Sequence, residues 1–145
     1  MDFFSAINVS SSALTAERTR MNLISSNLAN ANATRTPEGG PYKRKDAVFT
    51  ATPMESRFDR ALNGATARQI RQVEVSEIVE DQNPPRLLYD PGHPDANPQG
   101  YVAMPNVNVV EEMADMIGAT RAYEANVTAV QAAKSMALKT LEIGR

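Results

Sequence analysis

The C-terminal part of the chain carries the pattern that most restricts its fold. From residue 108 to residue 143, side chains recur at alternating spacings of four and three, and eight of the ten positions in that row are apolar or amphipathic. This spacing predicts one α-helix with an apolar seam that needs a partner helix. Asn108 is placed to cap the helix and Gly144 to end it. The row comprises Val109, Met113, Met116, Thr120, Tyr123, Val127, Val130, Lys134, Ala137 and Leu141.

A second long helix is predicted at the N-terminus, from residue 3 to about residue 34. No proline precedes Pro37 and no glycine precedes Gly39, so nothing interrupts the helix before residues 36–41 end it. Its apolar row has a spacing of seven and comprises Ile7, Leu14, Met21 and Leu28.

Two helices of this length in one chain indicate assembly. Helices in globular proteins average ~10–14 residues, and longer periodic patterns are typical of coiled coils. Each seam side chain contributes about 1.5–3 kcal/mol only when it is covered, and the N-terminal helix is the available partner within the chain. Small residues surround the C-terminal seam, and between Met116 and Ala133 the only charges are Arg121 and Glu124. We infer that several helices pack there; an Ala-rich helix in a small intramolecular bundle is the open alternative.

The middle of the chain has a different character. All nine prolines lie between Pro37 and Pro105, and short segments rich in β-branched or aromatic residues alternate with turns. Strands are predicted at residues 47–50, 73–79, 86–89 and 101–104, and a mobile loop at residues 56–66. The expected fold class is α+β: two long terminal α-helices pairing as a coiled coil, with a small β-containing module between them. The expected divisions are residues 1–36, 37–107 and 108–145.

Composition excludes several function classes. A net charge of −2 and a pI near 5.4 argue against nucleic-acid binding. No apolar run approaches the ~20 residues of a membrane-spanning helix. There are no cysteines for disulfides or thiolate metal sites, and neither a basic secretion signal nor a phosphate-binding loop is recognisable. From these features alone we expect a cytoplasmic protein that is not an enzyme and has no cofactor.

A few residues invite a more specific reading. His93, with Asp90 and Asp95 nearby, suggests a metal or general-base site, but a lone histidine between prolines is better interpreted as a surface or packing residue. The cluster at residues 43–45 could bind an anion or a partner, but a solvated strand start is the favoured interpretation. Asn27 and Asn30 are expected at an interface, with helix capping as the alternative. Arg121 has two possible partners, Glu124 on its own helix or a carboxylate of another chain.

Residues 23–49, centred on Asn27-Leu28-Ala29-Asn30 and followed by Gly39-Gly40-Pro41-Tyr42, resemble the N-terminal motif of bacterial flagellar rod and hook proteins. Residues 104–113 and 121–126 resemble the C-terminal motif of the same family. The long turn, together with residues 84–95, is similar to the proximal rod type. The resemblance spans nearly the whole chain.

This resemblance implies a structural subunit of the rod that crosses the periplasm and transmits torque. It further implies polymerisation through the terminal helices, other rod proteins as partners, and export by the flagellar type III apparatus without a cleaved signal. It therefore replaces the cytoplasmic expectation. The alternatives are a cytosolic coiled-coil adaptor that does not polymerise and a small hydrolase using His93. The expected assembly residues are Ile7, Leu14, Met21, Ile24, Asn27, Leu28, Asn30, Met113, Met116, Tyr123, Val127, Val130 and Leu141.

Overall fold

The computed structural model describes residues 3–53 and 71–143. It confirms the α+β class, with a long helix at each end and four strands between them. The loop predicted at residues 56–66 lies outside the described residues. In chain order the elements are α1 (Phe3–Ala29), β1 (Lys45–Pro53), β2 (Arg71–Glu80), β3 (Arg86–Tyr89), β4 (Tyr101–Met104) and α2 (Val109–Ile143).

Helix α1 ends at Ala29, so the prediction that it continues to about residue 34 is wrong. The Ser26 carbonyl accepts the last helical bond, from the Asn30 N–H at 3.1 Å, and also the Asn30 Nδ2 at 2.9 Å; the next donor, the Ala31 N–H, bonds instead to the Leu28 carbonyl at 3.3 Å. The backbone then tightens into a three-residue turn in which the Ala33 N–H donates to the Asn30 carbonyl at 3.0 Å. Asparagine favours helix ends because its side chain can bond to nearby backbone groups, so the helix ends here without a proline.

The turn after α1 returns the chain to the end of the helix. Gly39 and Gly40 have φ angles of 91° and 82°, which side chains with a Cβ rarely adopt. The Thr36 N–H donates to the Gly40 carbonyl at 2.9 Å, and the Tyr42 N–H donates to the Ala33 carbonyl at 3.0 Å. The start of β1 is thereby held against α1.

Strands β1 and β2 form an antiparallel ribbon that packs on α1. Lys45 pairs with Glu80 at one end and Pro53 with Arg71 at the other, and a bulge falls between Val48 and Phe49. The predicted strands at 47–50 and 73–79 are confirmed, and both are longer than predicted.

Strands β3 and β4 form a separate antiparallel hairpin, from the Arg86–Met104 pair to the Tyr89–Tyr101 pair. Both predicted strands are confirmed. Within the described residues, neither strand packs against a helix or against the β1–β2 ribbon. The hairpin is instead held by the neighbouring loops, where Asp95 accepts a hydrogen bond from Thr34 at 2.9 Å and pairs with Arg35 at 3.0 Å.

Helix α2 packs along α1, as the predicted helix pairing requires. Asn108 caps its start, since Oδ1 accepts the Val110 N–H at 3.1 Å. The helices are antiparallel: Glu112 hydrogen-bonds to Asn27, and about two turns further along α2, Thr120 Oγ1 lies 3.8 Å from Sδ of Met21, which precedes Asn27 on α1.

The predicted register of the α2 seam is only half right. Met116, Tyr123, Val127, Val130 and Ala137 are half-buried, as the four-three row requires, whereas Val109 and Leu141 are exposed. In the alternate row, however, Met113, Thr120 and Lys134 are exposed, and each preceding residue is buried instead. Small side chains in that row allow the two helix backbones to approach closely. The three buried residues are Glu112, Ala119 and Ala133.

Candidate assembly site

The end of α1 carries a fully buried amide. Asn27 is 1% exposed. Its Nδ2 donates to the Lys45 carbonyl at 2.9 Å and to Glu112 Oε2 at 3.0 Å. Its Oδ1 accepts the Lys45 N–H and the Tyr42 hydroxyl, each at 3.0 Å. An amide side chain has two donor hydrogens and two acceptor lone pairs, so Asn27 is fully satisfied and joins α1, β1 and α2 at one point.

Glu112, in the first turns of α2, is also 1% exposed. Its second oxygen, Oε1, accepts a hydrogen bond from Arg44 Nε. The Arg44 guanidinium also pairs with Asp46 at 3.3 Å and approaches Asp115 at 3.7 Å. A buried carboxylate without a partner is strongly unfavourable, so Arg44 is what permits Glu112 to lie inside the fold. We call Asn27, Tyr42, Arg44 and Glu112 the polar tie.

Arg44 keeps its positive charge at neutral pH. Partial burial lowers its pKa, but the hydrogen bond and the charge of Glu112, with a further contribution from Asp46, outweigh burial, so the pKa is raised above its ordinary value. A group with a raised pKa gives its full stabilisation at lower pH and loses it only as the pH rises through the folded value. That range lies far above neutrality, so Arg44 does not titrate under working conditions.

Sequence reasoning missed the polar tie. Residues 43–45 were expected to be a solvated strand start; for Arg44 this is wrong, since the side chain is mostly buried and ion-paired. Glu112 lies in the first turns of the predicted helix, where a negative charge is favourable in any case. The spacing did contain a signal, because Glu112, Ala119, the half-buried Asn126 and Ala133 follow one another at intervals of seven. The second asparagine, Asn30, caps α1 through Ser26.

The predicted assembly residues fall into two groups. On α1, Ile24 is buried and the other apolar members are half-buried; on α2, Met113 and Leu141 are exposed and the rest are half-buried. The helix pair therefore brings together the members that are at least half-buried, but not Met113 or Leu141. Asn27 and Asn30 are both engaged within the chain. Contacts of any of these residues with a second subunit stay a prediction.

Four large apolar side chains of α2 are left exposed by the described residues. Val110 and Ile117 lie on the side away from α1, and Met136 and Ile143 lie nearer the C-terminal end of the helix; all four are more than half exposed. Arg121 lies on the same side of the helix as Ile117 and makes no ion pair within residues 3–53 and 71–143. Of the two possible partners of Arg121, Glu124 on its own helix is therefore not the one it pairs with in the subunit. Several large apolar side chains left exposed on one helix indicate an interaction surface.

The contacts of His93 are those of a structural residue and do not support a catalytic or metal-binding site. His93 Nδ1 accepts the Asp95 N–H at 3.1 Å, which uses the ring to shape a turn. Among the described residues, no group of three or more histidine, aspartate or glutamate side chains could hold a metal ion. A search of the same residues found no helix both long and apolar enough to cross a membrane.

Paired terminal helices, a β-containing middle and an uncovered helix face define a structural protein of the axial, assembly-forming class. Comparison with known families agrees: residues 7–35 match the flagella basal body rod protein family, and residues 99–143 match the C-terminal region of the flagellar basal body rod FlgEFG proteins. Asn27 and Glu112 fall in these two separate segments.

Curated relatives cover the whole chain. It is 47% identical to the flagellar basal-body rod protein FlgC of Bacillus subtilis, over 100% of both chains. It is 44% identical to FlgC of Borreliella burgdorferi, over 99% of this chain and 98% of the relative. It is 41% identical to FlgC of Salmonella typhimurium, over 100% of both. The chain belongs to the FlgC family of flagellar basal-body rod proteins, which confirms the resemblance drawn from its motifs.

Proposed function

We propose that this chain is a structural subunit of the bacterial flagellar basal-body rod, which polymerises through its terminal helices and transmits motor torque. Full-length similarity to FlgC proteins is the main support. The observation in the structure that carries the proposal is the set of exposed apolar side chains on α2, with Ile117 54% exposed and Ile143 86% exposed. Burying such side chains contributes about 1.5–3 kcal/mol each, so neighbouring helices would gain from covering them.

The polar tie supports a mechanical role. Asn27 connects the end of α1, the start of β1 and the start of α2 through four hydrogen bonds. A force applied to the β1–β2 ribbon therefore reaches both helices without passing through a flexible joint. Torque would cross from one subunit to the next through interlocked apolar side chains, which slip only if many contacts break together.

The role is non-enzymatic, and the protein works in the basal body with other rod proteins as partners. We further propose that it leaves the cytoplasm through the flagellar type III apparatus and keeps its N-terminus. Mass spectrometry of the protein from purified basal bodies checks this, since a cleaved signal would appear as a lower mass. Cell fractionation also separates this function from a cytosolic adaptor, which would remain in the soluble fraction.

The test of polymerisation is Ile117→Asp in cells lacking the native copy. We expect the purified subunit to remain as stable as wild type, because Ile117 is 54% exposed, but complete rods and swimming to be lost. The matched control is Ile78→Asp on the β1–β2 ribbon, where the same side chain is 49% exposed. Normal rods with Ile117→Asp would contradict assembly through this face, as would equal loss of rods in both variants.

A further inference from the structure

Asp95 joins the β3–β4 hairpin to the turn that follows α1. Its Oδ2 accepts the Thr34 hydroxyl at 2.9 Å, and its Oδ1 pairs with Arg35 Nη2 at 3.0 Å. We call these two contacts the Asp95 clasp. Within the described residues, β3 and β4 pack against neither helix nor the ribbon. The position of the hairpin therefore depends on its loops, where the clasp supplies the polar contacts.

The backbone at Asp95 is held by the single histidine of the chain. His93 Nδ1 accepts the Asp95 N–H at 3.1 Å. The His93 carbonyl accepts the Ala96 N–H at 3.0 Å, so the ring and the backbone shape one tight turn. A ring nitrogen accepts a hydrogen bond only while it carries no proton. The turn that presents the Asp95 carboxylate to the clasp therefore requires a neutral imidazole.

Three other turns of the chain contain the same bond, from a side-chain acceptor to the backbone N–H two residues later. Asp81, Asp90 and Asn97 accept it through Oδ1, at 2.9, 3.1 and 3.0 Å. Amide and carboxylate oxygens are acceptors at neutral pH, whereas histidine is the side chain whose charge normally changes between about pH 5 and 8. Among these four turns, the one at His93 is the turn whose acceptor becomes a donor in that range.

We propose that protonation of His93 opens the Asp95 clasp and loosens the hairpin from the turn after α1. With a proton on Nδ1, two N–H donors face each other, and the Asp95 N–H loses its partner. The charged side chains of and around this turn are those of Asp90, Asp95 and Arg35. A protonated ring is attracted to the two carboxylates and competes with Arg35 for Asp95.

The direction of the pH dependence follows from the neutral ring that the turn requires. The clasp is complete at neutral pH and is lost as the pH falls through the range in which histidine takes up a proton. This goes beyond the proposed function, because it concerns the subunit itself whether or not the chain polymerises.

Hydrogen exchange of the Asp95 N–H, followed by NMR in the purified subunit, measures the opening of the turn. The matched variant is His93→Asn, whose amide oxygen can accept the same bond at every pH, as that of Asn97 does. Residue 93 is not adjacent to Asp95, so the intrinsic exchange rate is the same in both proteins. We expect the ratio of rates, wild type to variant, to rise about tenfold from about pH 7.5 to about pH 5.5. The Gln99 N–H is the internal control, and its ratio should stay constant.

Movement of the hairpin is measured with two spin labels, because the chain contains no cysteine of its own. Asn22→Cys on α1 and Leu87→Cys on β3 are exposed positions for the labels, and pulsed electron paramagnetic resonance gives their distance. We expect the distance distribution to broaden or shift at about pH 5.5, and to stay unchanged when His93→Asn is added.

The ring signal of the single histidine reports its protonation in the same samples. A constant exchange ratio, or the same pH response in His93→Asn, would overturn the proposal. So would an unchanged label distance in a protein whose ring signal shows that His93 is protonated, and that outcome decides the matter even if the variant does not fold.

Discussion

The two faces of α2 are built from different side chains. Toward α1 lie Glu112, Ala119 and Ala133, all buried. Away from α1 lie Val110 and Ile117, both more than half exposed. The inner face consists mostly of small side chains, and its buried carboxylate, Glu112, is already paired with Arg44. The outer face combines these large apolar side chains with polar ones such as Arg121 and Glu124, and no described residue covers Val110 or Ile117.

This difference separates stability from assembly along a single helix. Free energy of unfolding should depend on the inner face and on the polar tie, because their contacts are complete within one chain. Rod formation should depend on the outer face, because its apolar area is removed from water only by a neighbour. Substitutions of matched chemistry on the two faces should therefore affect different measurements.

The largest loss of stability is expected for Arg44→Leu. It leaves the Glu112 carboxylate, 1% exposed, without its cation, and breaking a buried ion pair from one side is strongly destabilising. We expect the free energy of unfolding to fall by about 3 kcal/mol, measured by urea denaturation of the purified subunit and followed by circular dichroism.

The double variant Arg44→Leu with Glu112→Leu is the control, because replacing both charges removes the uncompensated carboxylate. It should recover more than half of the loss. If the free energy of unfolding of the single Arg44→Leu variant lay within about 0.5 kcal/mol of wild type, the change would be typical of a surface site. The polar tie would then not hold the helices together.

The inner and outer faces are compared most directly with two alanines of α2. Ala119 is 1% exposed against α1, so Ala119→Leu overpacks the helix pair and should cost about 2 kcal/mol. Ala125 is exposed, so Ala125→Leu should change the free energy of unfolding by less than about 0.5 kcal/mol. Equal losses in thermal or urea unfolding would mean that both faces are packed within the subunit, and the comparison between them would fail.

Periodicity was sufficient to predict both helices and their pairing, because a seam of large apolar residues recurs over more than thirty positions of α2. It placed half of the register correctly, through Met116, Tyr123 and Val130. The other half was wrong because the periodicity rule selects positions with large apolar side chains, whereas the two helices meet where the side chains are small. Met113 was preferred to Glu112 for its hydrophobicity, although Met113 is the exposed one.

The polar tie lies beyond this kind of reasoning. Its members are separated by as many as 85 positions along the chain, and each has an ordinary local explanation. Asn27 looks like a helix-capping residue, Arg44 like part of a basic cluster, and Glu112 like a charge that favours a helix start. Only the tight return at Gly39 and Gly40 brings Arg44 and Asn27 together, and that contact depends on the three-dimensional path.

The smallest effect is expected at a flaw in the inner face of α1. Glu17 lies between Leu14 and Met21 in the seam, and its Oε2 is buried without a hydrogen-bond partner among the described residues. An unsatisfied buried polar atom costs about 1–3 kcal/mol, but the residue as a whole is only half-buried, so part of that cost is relieved by solvent. Glu17→Met should therefore raise the free energy of unfolding by about 1 kcal/mol. Exposed Glu124→Met is the matched control and should leave it unchanged. A loss of stability in Glu17→Met would mean that the carboxylate has a favourable interaction in the subunit, and a loss of rods with stability intact would assign that interaction to a neighbour.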